Sequence, residues 1–309
     1  MTLYIKTVKA HNSIYDEYRF YKTDGELEST LSLKQCSAKK SNCLDCSSEI
    51  IDFHTHCFTD ELAIKAVHSP KLGWEFPADG TLSCELRLMA ENSVHKCVLL
   101  NMATRPNTMK HVNKFAIENN CADFISFGSV HPFSDNAVHE IERLYSIGIK
   151  GIKFHTGHQG FSFEDKQCIP VYKKIGELHM ITVIHCGISA KSPLNQVFPK
   201  NVSNVIKYFN GAPFVCAHMG GINFCNEQLK ILKELPVMVD TALMAERSTA
   251  EDLSNMVREL GADRVLFGSD LPWGHQKEAI ELIKNSCLTK EEQSAILYKN
   301  ACRLLGLSL

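Results

Sequence analysis

The chain has 309 residues, 44% of them hydrophobic and 22% charged, and a formal net charge of -2. These values fit a globular protein with ample material for a core, and they leave no basic excess for gripping nucleic acid or an anionic membrane surface. No apolar run approaches the ~20 residues of a membrane span, and the opening MTLYIKTVKAHNS lacks the apolar segment of an export signal, so the expected location is cytoplasmic.

Residues 1–48 read as a small N-terminal extension, β-rich in character. TLYIKTV alternates weakly, as a strand does. EYRFYKTDGELEST reads as two short strands about an Asp24-Gly25 turn. The polar stretch that follows carries Cys36, Cys43 and Cys46 in a C-x6-C-x2-C pattern. A structural zinc there would need a fourth ligand, for which Cys57 and His11 are the candidates. Free loop thiols are the plainer reading. The remaining cysteines of the thirteen are scattered through the predicted elements, and the expectation for them is reduced, buried thiols.

From Glu49 to Leu309 the chain keeps a regular beat. Eight short β-rich runs appear in order: EIIDF, KCVLLNM, FISFGSV, GIKGIKF, MITVIH, PFVCAH, PVMVD and RVLFGSD. Amphipathic stretches with helical spacing lie between most of them, and Gly148, Gly211 and Gly261 stand where helices should stop. Eight strands, each followed by a helix, predict an α/β fold of the (β/α)8 TIM-barrel type over 49–309. The alternative is a doubly wound open sheet. To bind a dinucleotide it would need a glycine-rich turn after the first strand, and FHTHCF supplies none.

Active sites of such barrels form at the C-terminal ends of the strands. The first run ends in His54 and His56, which strand alternation puts on one face with Asp52 below them. The fourth offers Lys153 and His155, the fifth His185, the sixth His218 and the eighth Asp270. A single rim histidine is ordinarily a structural residue. Histidines from four strands and an aspartate from a fifth, all at one rim, point to a divalent metal ion, zinc foremost. Such an ion brings the pKa of a bound water from ~15.7 to ~7, and Asp270 is the acid placed to exchange its proton. His218 is the candidate for a histidine that assists without binding the metal. Arg105, in NMATRPNT, would hold a substrate carboxylate or else lie in solvent, and Arg247 is a weaker case of the same kind. Trp273 would wall the pocket or pack the last loop. His158 and Gln159 follow His155 in a Gly-flanked loop and are pocket candidates, and Trp74 lies in a loop able to cover the mouth.

The series IDFHTH, GIKFHTGHQGF, ITVIHCG, VCAHMGG and ADRVLFGSDLPWG, closing with NACRLLGL, resembles the amidohydrolase superfamily across about residues 49 to 309. The resemblance is to its amidohydrolase-2 branch, which includes aminocarboxymuconate-semialdehyde decarboxylase. It implies His54, His56, His185 and Asp270 as metal ligands, with Asp270 also the acid/base. His218 corresponds to the histidine that holds the reacting water in mononuclear members and binds a second metal in binuclear ones. Lys153 stands near the position of a carboxylated lysine in many binuclear relatives, and a role as partner for a substrate anion is the favoured alternative. His155 is an added ligand or a substrate contact. One zinc is the expectation, with a second metal open, and the resemblance also allows a homodimer.

The leading function is a metal-dependent hydrolase of a small carboxylate-bearing or cyclic substrate. The alternative is a lyase of the same fold, a non-oxidative decarboxylase or hydratase. A TatD-type nuclease would want an acidic fourth strand, which GIKGIKFH lacks. A non-catalytic binding barrel would be signalled by a missing ligand, and the full set is present.

Overall fold

The computed structural model describes residues 4–7, 17–21, 27–32, 49–67, 76–188, 195–221 and 226–308. The chain divides into two compact units, Met1–Ser48 and Glu49–Leu309. In the first, β1 (Tyr4–Thr7), β2 (Glu17–Tyr21) and β3 (Leu27–Ser32) form an antiparallel sheet in that order, with a register shift at Phe20/Tyr21. The Asp24-Gly25 turn, His11, Trp74 and the trio Cys36, Cys43 and Cys46 lie outside the described residues.

The second unit contains all eight expected strands, every pair parallel: β4 (Ile51–Thr55), β5 (Lys96–Leu100), β6 (Phe124–Phe127), β7 (Gly151–Phe154), β8 (Ile181–Ile184), β9 (Phe214–Cys216), β10 (Met238–Asp240) and β11 (Val265–Leu266). They form two arcs, β4-β5-β6 and β7-β8-β9-β10-β11. The arcs meet twice. At one meeting Gly128 N donates to Gly151 O (2.9 Å) and Lys153 N to Gly128 O (2.9 Å). At the other, Phe53 N donates to Phe267 O (2.7 Å), Asp270 N to His54 O (2.8 Å) and His56 N to Leu271 O (2.7 Å). With both seams closed the sheet is a barrel, and the open doubly wound alternative is excluded.

The wall sorts side chains into two layers. Ile51, Phe53, Val98, Leu100, Phe127, Val183, Val215 and Leu266 form one buried cluster with Ala301, Cys302 and Leu305 of the last helix. Cys97, Leu99, Ile152, Phe154, Ile184 and Val239 join the larger cluster that includes the helices. The barrel is therefore a packed core, as such barrels are. Helix starts follow local chemistry. Thr249 and Thr289 each form a reciprocal capping box, with Asp252 and Glu292. Seven of the nine described cysteines are buried and all nine are free.

One feature of β4 departs from regular alternation. Its register against β5 shifts between Asp52 and Thr55. Such a bulge re-aims side chains, and here it separates Asp52 from the two histidines. Asp52 turns outward, where Gln276 Nε2 of helix Gln276–Lys284 donates to its Oδ2 (3.0 Å). Simple alternation had put Asp52 beneath His54 and His56, and the bulge corrects that. Glu85, of helix Leu82–Asn92, lies in the same buried layer and accepts from Cys97 Sγ (3.1 Å). Burial, followed by the Asp52 charge, pushes the Glu85 carboxyl up from its ordinary 4.5 to about 8. Burial likewise raises Asp52 to about 6, against the hydrogen bonds from Ser269 and Gln276.

The native state thus keeps a proton on Glu85 that the unfolded chain has lost above pH 4.5. That contribution to stability is whole below this pH and disappears as the pH rises through about 8. Between pH 6 and 9 the parent should lose roughly 3 kcal/mol relative to Glu85→Gln. Denaturant unfolding of both proteins at the two pH values checks this, and parallel pH dependences would count against a neutral buried Glu85.

Candidate active site

The turns leaving β4, β9 and the eighth strand bring a small set of polar atoms together. His54 Nε2 lies 3.2 Å from His56 Nε2, 3.2 Å from Lys153 Nζ and 3.3 Å from Asp270 Oδ1. His56 Nε2 lies 3.2 Å from the same Asp270 oxygen. Two donors each ~2.1 Å from a shared ion stand ~3 to 3.5 Å apart, so the triangle of His54, His56 and Asp270 has the size of a coordination shell. Donor atoms of His54, His218 and Asp270 also lie within 4.8 Å of one another.

The outer nitrogens of these rings are anchored to the wall. His54 Nδ1 meets Asp240 Oδ2 (2.8 Å), His56 Nδ1 donates to Leu100 O (2.7 Å) and His218 Nδ1 donates to Ala242 O (3.0 Å). A proton fixed on each Nδ1 leaves each Nε2 with a lone pair facing inward. His218 Nε2 then accepts from His185 Nδ1 (3.0 Å). That leaves His185 Nε2 as a second lone pair, and this buried atom has no hydrogen-bond partner. An unsatisfied buried acceptor is costly, and a cation would relieve it. The residues present therefore fit a divalent metal ion.

Electrostatics favour the same protonation state. Burial, then the Lys153 charge, lowers His54 to about 4 despite Asp240 and Asp270. Burial and then the neighbouring imidazoles lower His185 and His155, and burial lowers Lys153. Burial alone would raise the Asp270 carboxyl, but the surrounding imidazoles of His54, His56 and His218 hold it well below the usual range. Asp240 behaves likewise, with His54 the main opposing influence. Neutral imidazoles and ionised carboxylates are what a metal ion requires.

The backbone is strained at this rim. His218 (φ 56°), Met219 (53°), Leu243 (60°) and Asp270 (66°) all adopt positive φ, at ~1–3 kcal/mol each. Asp270 is held by its amide bond to His54 O and by Trp273 N and Gly274 N donating to its own carbonyl (2.8 and 3.0 Å). A Cβ at Gly268 would come within 2.7 Å of His54 Cβ. Only glycine lets the eighth strand pass this close behind the histidine.

The other predicted residues fall into distinct places. Lys153 is buried against His54. His155 stacks on His185 (ring centres 3.9 Å, 7° apart), and His158 packs edge-on to it at 4.1 Å. His185 is absent from the tight triangle and is joined to it through His218. The half-buried Trp273 packs 5.0 Å from His56 and 6.2 Å from Phe58, as a wall does. Arg105 and Arg247 are exposed, and Arg105 makes its described hydrogen bonds through its backbone, to Thr108. Gln159 is a pin rather than a pocket residue. Its side chain donates to Ala103 O and Val130 O and accepts from His155 N.

Sequence reasoning missed Asp240. The run PVMVD is a strand that ends in this acid, as RVLFGSD ends in Asp270. Asp240 is fully buried, binds His54 Nδ1 with one oxygen and accepts from His218 N (2.9 Å) and Ala242 N (3.2 Å) with the other. His131, at the end of the third run, was also passed over; its Nε2 is tied to Gln159 O (2.9 Å).

Residues 107–307 match the sequence family described as Amidohydrolase. The chain belongs to the amidohydrolase family. This family is metal-dependent. No curated protein matches the chain. Among solved structures, an uncharacterised TIM-barrel protein from Bordetella bronchiseptica is 18% identical with a TM-score of 0.67, over 84% of this chain and 98% of its own. The 2,6-dihydroxybenzoate decarboxylase from Rhizobium is 15% identical with a TM-score of 0.66, over 84% and 99%. A probable 2-pyrone-4,6-dicarboxylic acid hydrolase from Acinetobacter baumannii is 19% identical with a TM-score of 0.61, over 84% and 99%. At these identities the likeness is one of fold, and the fold is the TIM barrel of this amidohydrolase.

Asp240→Ala should free the His54 ring and weaken metal binding by ~10–100-fold. Asp240→Asn should lose less, since its amide oxygen still accepts from Nδ1. Competition against a chromogenic chelator measures both, and parent-like affinity in the alanine variant would show that Asp240 does not orient the ligand.

Proposed function

We propose that this amidohydrolase is a metal-dependent hydrolase of a small carboxylate-bearing or cyclic substrate. The observation that carries the reading is the convergence of His54 Nε2, His56 Nε2 and Asp270 Oδ1 at 3.2–3.3 Å. His54, His56, His185 and Asp270 would hold one divalent ion, zinc by preference, with His155 the reserve ligand. When bound, that ion supplies Lewis acidity and a water that ionises near neutral pH.

The chain's own residues do the rest. Asp270 is ionised, and with Oδ1 turned to the imidazoles its other oxygen is the one to accept a proton and return it to the leaving group. His218, whose backbone amide is held by Asp240 and whose Nδ1 donates to Ala242 O, would accept from the reacting water through Nε2 once His185 turns from it to the ion. The buried Lys153 amine pairs with a substrate carboxylate. His158 and Trp273 line the approach, and Trp273 keeps bulk water from His56. Arg105 extends into solvent and would meet substrate only at the mouth.

Decarboxylation is the second reading. A buried lysine beside the metal ligands suits a substrate carboxylate, and similar folds include a 5-carboxyvanillate decarboxylase from Sphingomonas paucimobilis as well as the Rhizobium enzyme. A panel of cyclic esters, lactones and aromatic carboxylic acids, followed for acid release and for carbon dioxide, separates the two. Asp270→Asn should lower turnover by ~10²-fold or more on whichever class responds. Unchanged turnover in that variant would remove Asp270 from proton transfer.

A further inference from the structure

The seam between β4 and the eighth strand is held by more than its backbone ladder. Parallel strands normally exchange evenly spaced amide–carbonyl bonds. Here the backbone bonds along the seam run from Phe53 N to Phe267 O, Asp270 N to His54 O and His56 N to Leu271 O, which passes over Ser269 N, and β11 itself is two residues long. Ser269 N, one residue before Asp270, finds no backbone acceptor among the described residues. It donates to Asp52 Oδ1 at 3.0 Å. His54 N donates to the same oxygen at 3.2 Å. One carboxylate oxygen thus ties the amide of one proposed ligand to the amide beside another.

The opposite oxygen is braced. Gln276 Nε2 donates to Asp52 Oδ2 at 3.0 Å, and Gln276 Oε1 accepts from Asn92 Nδ2 at 3.1 Å. Asp52 and Ser269 are fully buried and Gln276 is 2% exposed, so water does not compete for these bonds. A chain of bonds therefore runs from helix Leu82–Asn92 through helix Gln276–Lys284 into the wall, ending behind the His54–Asp270 pair. A residue that merely filled space would need none of this directionality.

We propose that Asp52, braced by Gln276, is a positioning residue: from outside the barrel wall it replaces the backbone bond that Ser269 N lacks on this seam and so sets His54 and Asp270 within reach of one another. The inference rests on reading those two residues as metal ligands, but the clamp itself can be observed without the metal.

The test is amide hydrogen exchange in peptides spanning residues 50–56 and 266–272 of the full chain, as purified and after chelator treatment, alongside zinc affinity. Asp52→Ala should speed exchange in these two peptides by ~10-fold or more and weaken zinc binding by a similar factor. Asp52→Asn, whose remaining oxygen still accepts both amides, should stay within ~3-fold of the parent on both readouts. Parent rates in the alanine variant, or equal losses in both variants, would overturn the clamp. Should the alanine variant not fold, Gln276→Met removes only the brace. Exchange ~3-fold faster in the 266–272 peptide then supports the proposal, and parent rates overturn it. If the peptides respond while the parent itself binds no zinc, the ligand reading fails and the clamp stands.

Discussion

The site depends on hydrogen bonds that face away from it. His54, His56 and His218 each present Nδ1 to a fixed acceptor, namely Asp240, Leu100 O and Ala242 O. Each ring is thereby held in one tautomer and one orientation, with Nε2 directed inward. Without these outward bonds the imidazoles would be free to turn, and no ring nitrogen would be fixed toward Asp270. With them, Asp270 is surrounded by partners that keep it ionised. The wall of the barrel is thus part of the chemistry.

Such an arrangement costs stability elsewhere. Four non-glycine residues at the rim take up positive φ, two of them His218 and Asp270 themselves. The barrel's packed interior and its ring of helices can carry such strain because the strand ends are tied at both seams. The polar layer of Asp52, Glu85 and Gln276 belongs to the same compromise. It places carboxyl groups in a buried layer where apolar packing would be the simpler choice, and it supplies directional bonds at the place where the ladder is broken.

Much of this was legible in the sequence. Each of the eight strands is a short apolar run bounded by turn signals, so the barrel and the strand ends bearing His54, His56, His185, His218 and Asp270 could be read from periodicity. Asp240 was equally legible, since PVMVD ends in its acid just as RVLFGSD does. Asp52 was not legible. IIDFHTH alternates without fault, and nothing in its composition announces a bulge that turns one residue outward while leaving the next two inside. Gln159 and Arg105 show a different boundary: a loop side chain's direction depends on tertiary contacts that no local pattern encodes. The hydrogen bond joining His185 to His218 is of that kind as well, since it depends on the spacing of two neighbouring strands.

The central claim is that strand-end imidazoles and a carboxylate of this amidohydrolase hold a metal ion. Metal content per chain, measured by plasma mass spectrometry on protein expressed with zinc, iron and manganese each in supply, tests it most directly. The account predicts one tightly held equivalent. Protein that carries no metal under any of these supplies would contradict it, and the convergence of His54, His56 and Asp270 would then need another explanation.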